Sequence, residues 1–438
     1  MAKGTFWSLI GTVISRSLSV ISSILVARFL GISGMGEVGI IQSTVGIFSA
    51  FAGLGMGLTA TKYVAEHRQN DPLKAGAMLG LSSWVAWLSG SIMTVAMLIC
   101  APWFAIHALA APHLAGLIQI GAVLLLLGAV NGAQNGALAG FEAFKTIARV
   151  NLFSGLANFP LMVGGVWLWG LKGAVWGLVA AHALGCVFSH LALRREAAAA
   201  GIPLWAKMQP SQWHILWTFS LPGLLCNIFW GPVNWACNAI LVNQPYGYAE
   251  MGIYNATLSW FNAVTFLPGV LGQVILPLLA SQTAEADNTN NRRIVVLAVK
   301  ANAIAVFPIV LILSIASPFV MATYGTGFQE GWPTLIVTLT TAGILAIQSP
   351  LIQAITASGR MWAVFATYVS YGVLFIGFTY AMVGWGSLGM STARCLAYVA
   401  NGVWAVWFAS KYIWRENRTV TSSATTLKNR CFLFRKSH

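Results

Sequence analysis

The feature of this chain that most constrains its fold is the length of its uncharged stretches. Residues 75–141 contain no Asp, Glu, Lys or Arg. The other long stretches without these residues run 150–171, 173–193, 208–249, 251–284, 301–329, 331–359 and 361–393. A membrane-spanning helix needs about 20 consecutive, mostly apolar residues, so each stretch has room for at least one span. The pattern predicts an all-α integral membrane protein.

The amino-acid composition excludes the other broad classes of protein. The chain has 58% hydrophobic and 8% charged residues, whereas a soluble domain carries about 25% charged residues. A soluble enzyme, a disordered chain and a disulfide scaffold are therefore ruled out. The six cysteines form no C-x-x-C pair and the histidines form no ligand cluster, so we expect neither a metal site nor a cofactor.

The apolar stretches and their charged boundaries predict about 12 transmembrane helices. The expected spans are about 5–30, 37–62, 78–103, 114–139, 147–169, 172–193, 213–242, 252–280, 296–323, 333–357, 361–383 and 388–412. The connections between them are short. The longest expected connection, at about 195–212, lies between spans six and seven.

The positions of the cations predict the orientation in the membrane. With the N-terminus in the cytoplasm, twenty of the 24 Lys and Arg residues lie at cytoplasmic span ends, loops or the tail. Arg28 and Lys172 lie near the outer surface, and Arg16 and Arg394 lie within spans. Because cytoplasmic loops carry the excess of Lys and Arg, both termini are predicted to be cytoplasmic. This distribution explains the net charge of +14 without a nucleic-acid partner.

The even division of the spans suggests an internal repeat of six helices, as in many transporters. One offset of 216 residues relates Met35-Gly36 to Met251-Gly252, Gly53 to Gly269, Gly170 to Gly386 and Gly173 to Gly389. We therefore predict two six-helix lobes around a central cavity. The expected domains are an N-terminal lobe at 1–194, a cytoplasmic interlobe linker at 195–212, a C-terminal lobe at 213–413 and a basic cytoplasmic tail at 414–438.

Arg16 is the first candidate for substrate binding, because a charge within a span is costly and usually functional. It lies about eleven residues into the first span, and Ser8, Thr12, Ser19 and Ser23 project from the same helical face. An arginine fork binds phosphate oxygens in a bidentate manner, so Arg16 is a candidate phosphate ligand. Alternatively, Arg16 binds backbone carbonyl groups of a neighbouring helix.

Arg394 is the second candidate within a span. It shares a helical face with Tyr398 and Asn401, at steps of four and three residues. It also lies within about two turns of the outer end of its span, so snorkelling to the membrane surface competes with substrate binding. The sequence leaves these two interpretations open.

Amide side chains within the spans are candidates for binding sugar hydroxyl groups. Asn227, Asn234 and Asn238 recur on one face of span seven, at steps of seven and four residues. Asn255 in span eight and Gln42 in span two face the same cleft if the two lobes are equivalent. The alternative is that these amides form hydrogen bonds that join neighbouring helices.

Five segments resemble the polysaccharide transporter family. They are ILVARFLGISGMGEVGII, GLGMGLTATKYVAEH, GALAGFEAFKTIARVNL, FSLPGLLCNIFWGPVN and MGIYNATLSWFNAVTFLPGVLGQVILPLLAS. The resemblance covers residues 5–413 and rests on glycine and aromatic patterns. The family contains Wzx-type flippases of lipid-linked oligosaccharides, in the same superfamily as the lipid II flippase and the MATE drug exporters.

The resemblance implies two lobes around a cationic cavity and an undecaprenyl-diphosphate-linked oligosaccharide as substrate. Such a flippase carries the repeat unit across the bacterial inner membrane by alternating access, for O-antigen, capsule or exopolysaccharide biosynthesis. Its implied partners are the lipid-linked oligosaccharide, membrane lipid and polysaccharide polymerase machinery.

Two other functions are alternatives for a chain of this class. An ion-coupled multidrug exporter on the same fold needs carboxylates within the membrane, but all ten Asp and Glu residues lie in predicted loops or at span ends. A membrane glycosyltransferase or polymerase needs an acid or base for group transfer, and the short predicted outer loops hold no carboxylate pair. We therefore expect a transporter of an anionic substrate, with no catalytic residues and no enzymatic activity.

Overall fold

The computed structural model describes residues 2–204, 228–284, 288–357 and 361–408, and all regular secondary structure in them is helical. The α-helices are α1 (Ala2–Gly53), α2 (Met56–His67), α3 (Pro72–Trp103), α4 (Ala115–Gly140), α5 (Phe144–Ala199), α6 (Trp230–Val242), α7 (Gly247–Ala284), α8 (Asn288–Ile315), α9 (Ser317–Thr323), α10 (Trp332–Ala357), α11 (Met361–Met382) and α12 (Gly386–Phe408). Short helical turns occupy Phe104–Ala108, Pro112–Leu114, Gln329–Gly331 and Val383–Trp385.

Seven segments of the described residues are long and apolar enough to cross a membrane. Three of them are long enough to cross twice, namely Ile14–His67 with 54 residues, Phe144–Ala199 with 56 and Trp362–Phe408 with 47. Predicted span seven, 213–242, lies partly outside the described residues, and predicted span eight corresponds to α7. An all-α, multi-pass membrane protein is therefore confirmed, while the count of twelve spans and the position of the termini stay predictions.

Glycines interrupt the longest helical segments at the predicted ends of spans. Gly31 within α1 has a φ of 71°, and Gly170 within α5 has a φ of 56°. Glycine adopts positive φ without the steric penalty that a Cβ atom brings. Helix α1 is divided at Gly31, close to the predicted boundary between spans one and two. Helix α5 is divided at Gly170, close to the predicted boundary between spans five and six.

The breaks at Gly170 and Gly386 have the same backbone geometry. Their φ and ψ angles are 56° and −133° at Gly170, and 61° and −136° at Gly386. Three residues after each break, a Cβ atom on Gly173 or on Gly389 would fall on a carbonyl oxygen of the preceding helical segment. Both pairs are related by the offset of 216 residues, so the two turns agree with the predicted repeat.

The described residues form two halves that share a hydrophobic core. We call the described residues 2–204 the first half and the described residues 228–408 the second half. One large cluster joins Ile41 of the first half to Tyr254 of the second, and another large cluster also draws on both halves. The smaller clusters around Val64, Val295 and Ile355 each belong to a single half. The described halves therefore pack together through a shared core, which includes the predicted outer end.

Hydrogen bonds join the two halves near the predicted outer end. The Tyr248 hydroxyl group donates to the carbonyl oxygen of Leu109 over 2.8 Å. Arg28 donates through Nε to the carbonyl oxygen of Thr323 over 2.6 Å. Arg28 had been expected near the outer surface, and its contact joins the first half to the end of α9.

The closest contact between the halves is a pair of glycines on α1 and α7. A Cβ atom on Gly36 would fall on a carbonyl oxygen of α7, and one on Gly252 would fall on a carbonyl oxygen of α1. Asn255, about one turn further along α7, donates its amide to the carbonyl oxygen of Met35 over 3.2 Å. Gly36 and Gly252 are equivalent under the predicted repeat. The contact therefore joins matching positions of the two halves.

The cation distribution makes a direct prediction about topology. Reporter domains fused after residues 108, 246 and 328 are expected to be periplasmic, and those fused after 70, 203, 288 and 425 cytoplasmic. Paired alkaline phosphatase and fluorescent protein fusions at each position measure the side of the membrane. A periplasmic signal from any fusion of the second group would contradict the twelve-span topology.

Candidate functional site in the cleft between the halves

Arg16 lies on α1, near the middle of predicted span one. Its side chain is exposed, and its guanidinium carbon is 5.6 Å from the centroid of the Phe266 ring on α7. This distance permits a cation–π contact and places Arg16 at the boundary between the two halves. Within the described part of the chain, no carboxylate lies within ion-pair distance of Arg16.

The Arg16 pocket is a cavity of about 410 Å³ between α1, α4 and α5. Most of its lining side chains are hydroxyl or amide groups. The polar residues around it are Ser15, Arg16, Ser19, Asn131, Asn135, Asn151, Ser154, Asn158, His182 and Ser189. A cavity of this size is within the usual range for small-molecule sites. Its lining supplies one permanent cation and several groups that donate or accept hydrogen bonds.

Hydrogen bonds hold the amide groups of this pocket in place. The Asn131 amide oxygen accepts from the Asn135 amide over 2.9 Å and from the Ser189 hydroxyl group over 3.0 Å. The bond from Ser189 links α5 to α4. The amide oxygen of Asn135 is buried and has no hydrogen-bond partner among the described residues. A buried acceptor without a partner is uncommon, and this one belongs to a residue that lines the pocket.

Gly155 allows α5 to approach α1 closely beside Arg16. A Cβ atom at this position would overlap the side chain of Ser15. The Ser15 hydroxyl group donates to the carbonyl oxygen of Asn151 over 3.4 Å. The contact places the face of α5 that carries Asn151, Ser154 and Asn158 next to Arg16.

Arg394 is buried inside the second half, with 6% of its surface exposed. Its Nη1 donates to the Tyr254 hydroxyl oxygen over 3.1 Å, and its guanidinium carbon is 4.5 Å from the centroid of the Phe261 ring. Its Nε has no hydrogen-bond partner among the described residues. Of the two interpretations left open by the sequence, snorkelling does not fit a side chain that is covered by protein. Arg394 does not line the Arg16 pocket.

The amides predicted to bind sugar lie outside the Arg16 pocket. Gln42 is exposed on α1, and Asn238 is buried on α6 with 6% of its surface exposed. Asn234 donates to a carbonyl oxygen of its own helix over 2.7 Å, and Asn255 joins the two halves as described above. Asn227 lies outside the described residues. Their assignment to substrate remains a prediction, and the contact of Asn255 agrees with the alternative role in joining helices.

The amides and hydroxyl groups of α5 were missed by the sequence analysis, although a signal was present. Asn151, Ser154 and Asn158 are spaced by three and four residues, so they share one helical face. Asn131 and Asn135 of α4 are also spaced by four residues. The sequence shows that each face is polar, but it does not show that both faces meet Arg16.

The described carboxylates are engaged outside the Arg16 pocket. Glu142 forms an ion pair with Arg68 over 2.8 Å, and the Glu37 carboxylate is 2.9 Å from the His113 ring. Glu250 accepts from the backbone NH group of Ser387 over 2.7 Å at the start of α12. No carboxylate is among the described residues that line the Arg16 pocket, so its only permanent charge there is positive.

Comparison with known proteins finds a relative over part of the chain. The chain is 26% identical over 185 residues to the EPS I polysaccharide export inner membrane protein EpsE of Ralstonia solanacearum. This match covers 41% of the chain and 42% of EpsE, so it spans less than half the length of that relative.

Two solved structures show the same fold over nearly the whole chain. An inward-facing multidrug resistance MATE family transporter of the MOP superfamily superimposes with a TM-score of 0.76 at 14% identity, covering 90% of this chain and 94% of that structure. The lipid II flippase MurJ in an inward closed conformation superimposes with a TM-score of 0.73 at 14% identity, covering 93% and 88%. At this level of identity the similarity concerns the fold.

The sequence profile described as polysaccharide biosynthesis protein matches residues 1–283. This match includes α1, α4 and α5, which build the Arg16 pocket, and it confirms the resemblance noted from the glycine and aromatic segments. The chain belongs to the polysaccharide biosynthesis protein family.

Proposed function

We propose that this protein is a flippase that moves undecaprenyl-diphosphate-linked oligosaccharides across the bacterial inner membrane by alternating access. The observation that carries the proposal is the Arg16 pocket. It offers an arginine fork for phosphate oxygens beside amide and hydroxyl groups suited to sugar hydroxyl groups. The name of EpsE, an inner membrane protein of polysaccharide export, and the fold shared with MurJ, a lipid II flippase, support this substrate class and location.

The charge of the pocket favours an anionic substrate over a cationic drug. A cationic substrate exchanged for a coupling ion requires a carboxylate within the membrane, and none lines the Arg16 pocket among the described residues. The proposed activity is transport without a covalent step. The contacts of the halves near the predicted outer end support a conformation that is closed on the outer side.

Lipid that copurifies with the protein tests the proposed substrate. After mild extraction from its native host, mass spectrometry is expected to detect a polyprenyl diphosphate that carries sugar residues. The control is the same protein purified from cells that cannot assemble the glycan, where this species should disappear and the phospholipids should remain. Recovery of ordinary phospholipids alone from the glycan-producing host would contradict the proposal.

A further inference from the structure

The second half contains a cavity at the position that corresponds to the Arg16 pocket. It has a volume of about 460 Å³ and lies between α6, α10, α11 and α12. Adding the repeat offset of 216 to His182, Gly155 and Gly185 gives Tyr398, Tyr371 and Asn401. Gly155, His182 and Gly185 line the Arg16 pocket, and all three of their equivalents line the second cavity. The two cavities therefore occupy equivalent places in the two halves.

Buried polar atoms of this second cavity have no partner within hydrogen-bonding geometry among the described residues. They are the amide oxygens of Asn401 and Gln353, together with the hydroxyl groups of Tyr371 and Tyr398, which have only each other within reach. Tyr371, Tyr398 and Asn401 are only 2%, 4% and 7% exposed. Buried polar groups are nearly always hydrogen-bonded, so several unpartnered groups around one cavity indicate a ligand that offers several hydrogen-bonding groups of its own.

Aromatic rings provide an apolar surface beside these polar atoms. The Trp230 indole stacks on Tyr371 with ring centroids 5.5 Å apart and an angle of 14° between the ring planes. Tyr371 covers one face of the indole, yet 44% of the Trp230 surface stays exposed. An open aromatic surface beside convergent hydroxyl and amide groups suits a sugar, which has both apolar CH groups and hydroxyl groups.

The charges near the cavity favour a neutral or anionic ligand over a cation. No Asp or Glu is among the described residues that line it. The permanent cation of Arg394 lies one helical turn before Tyr398, on the same face of α12. A cationic ligand would be repelled by Arg394 and would meet no carboxylate, whereas a neutral or anionic sugar meets no such obstacle.

We propose that this second cavity binds one sugar residue of the translocated glycan, while the Arg16 pocket binds the diphosphate end. The inference rests on the proposed function, and it adds a second, separate binding site to it. A lipid-linked oligosaccharide is an elongated molecule, so two sites in opposite halves contact it at two points. The proposed sugar-binding residues of the second cavity are Trp230, Tyr398 and Asn401.

Saturation-transfer NMR on the full-length protein in nanodiscs tests the sugar site without any lipid-linked substrate. The probes are methyl glycosides of glucose, galactose, mannose, N-acetylglucosamine and glucuronic acid. At least one probe is expected to receive magnetisation from the wild-type protein. Its affinity should fall about tenfold in Trp230→Leu and about fivefold in Tyr398→Phe. Trp167→Leu, which removes a 71% exposed indole from α5, is the matched control and should bind as the wild type does.

Tyr398→Phe separates a binding defect from a folding defect. The hydroxyl group that it removes is buried and has at most the Tyr371 hydroxyl group as a partner, so the melting temperature is expected to change little while sugar binding falls. If none of the glycosides receives magnetisation, or if the variants bind them normally, the proposed sugar site is wrong. A loss of undecaprenyl phosphate binding in Trp230→Leu, without any glycoside signal, would identify a site for a lipid chain and would also overturn it.

A titration with undecaprenyl diphosphate that carries no glycan distinguishes this inference from the proposed function. Its binding is expected to depend on Arg16 and to be unchanged in Tyr398→Phe. Glycoside binding without any diphosphate binding would support the sugar site and contradict the proposed flippase function. Diphosphate binding without glycoside binding would support the flippase and refute the sugar site.

Discussion

Replacing Arg16 by alanine is expected to reduce transport of the lipid-linked glycan by about a hundredfold, with little change in the amount of protein. Hydrogen bonds to charged groups contribute about 1.5–3 kcal/mol each, and a bidentate pair loses both, which corresponds to about a hundredfold or more in affinity. Arg16→Lys keeps the charge but loses the planar fork, so an intermediate loss of about tenfold is expected. The measurement combines accumulation of lipid-linked glycan on the cytoplasmic face with protein abundance on a blot.

Lys172→Ala is the matched control for the loss of a cation. Lys172 is exposed and lies directly after the break at Gly170, away from the Arg16 pocket, so its removal should leave transport unchanged. A large drop in the abundance of Arg16→Ala would indicate that Arg16 joins helices, which is the alternative left open by its sequence pattern. Full transport by a normally abundant Arg16→Ala protein would show that Arg16 does not bind the substrate.

Replacing Gly252 by valine is expected to prevent the halves from closing at the predicted outer end. The Cβ atom alone would fall on a carbonyl oxygen of α1, and the backbone NH group of Gly36 would lie 3.3 Å away. Overpacking of this kind costs about 1–3 kcal/mol, which shifts the closed population by about tenfold or more. Transport should fall to a similar extent, because alternating access requires each end to close in turn.

Thiol labelling measures this closure directly. Ser23 lies between the halves, with its Oγ 2.9 Å from the Oγ of Ser259. In a cysteine-free background, Ser23→Cys should be shielded from a membrane-impermeant reagent on the outer side and should become reactive when Gly252→Val is added. Gly269→Val is the control on the same helix, because no described atom lies within 4 Å of its Cβ position. Unchanged labelling and full transport in Gly252→Val would show that this contact does not close the outer end.

The sequence predicted the repeat from a few glycine pairs, and the structure gives three of them a physical meaning, the exception being Gly53 and Gly269. Gly170 and Gly386 both need positive φ, which L-residues with a Cβ atom rarely adopt. Gly36 and Gly252 both need the absence of a side chain, because two helix backbones touch there. A requirement of this kind leaves a trace in a single sequence, because glycine meets it at the lowest cost.

The Arg16 pocket was predictable only in part. Arg16 and Ser19 were singled out because a charge and a polar stripe within a span are costly in lipid. Asn151 and Asn158 were not, because the sequence does not show which face of α5 meets α1. Asn255 was assigned to substrate, whereas in the structure its amide joins the halves. Polar residues within spans bind either ligand or protein, and only their neighbours distinguish the two.

The sequence by itself determined that this protein is an α-helical membrane protein and that its interior holds arginine in place of carboxylates. Both follow from the local cost of placing charge in lipid, which depends on each residue and its near neighbours along the chain. The tertiary structure alone decided that Arg394 is buried against Tyr254, that Gly36 packs against Gly252, and that each half contains a cavity. These features depend on contacts between residues more than a hundred positions apart, such as Arg394 with Tyr254. Helix packing sets such contacts, and no local pattern encodes them.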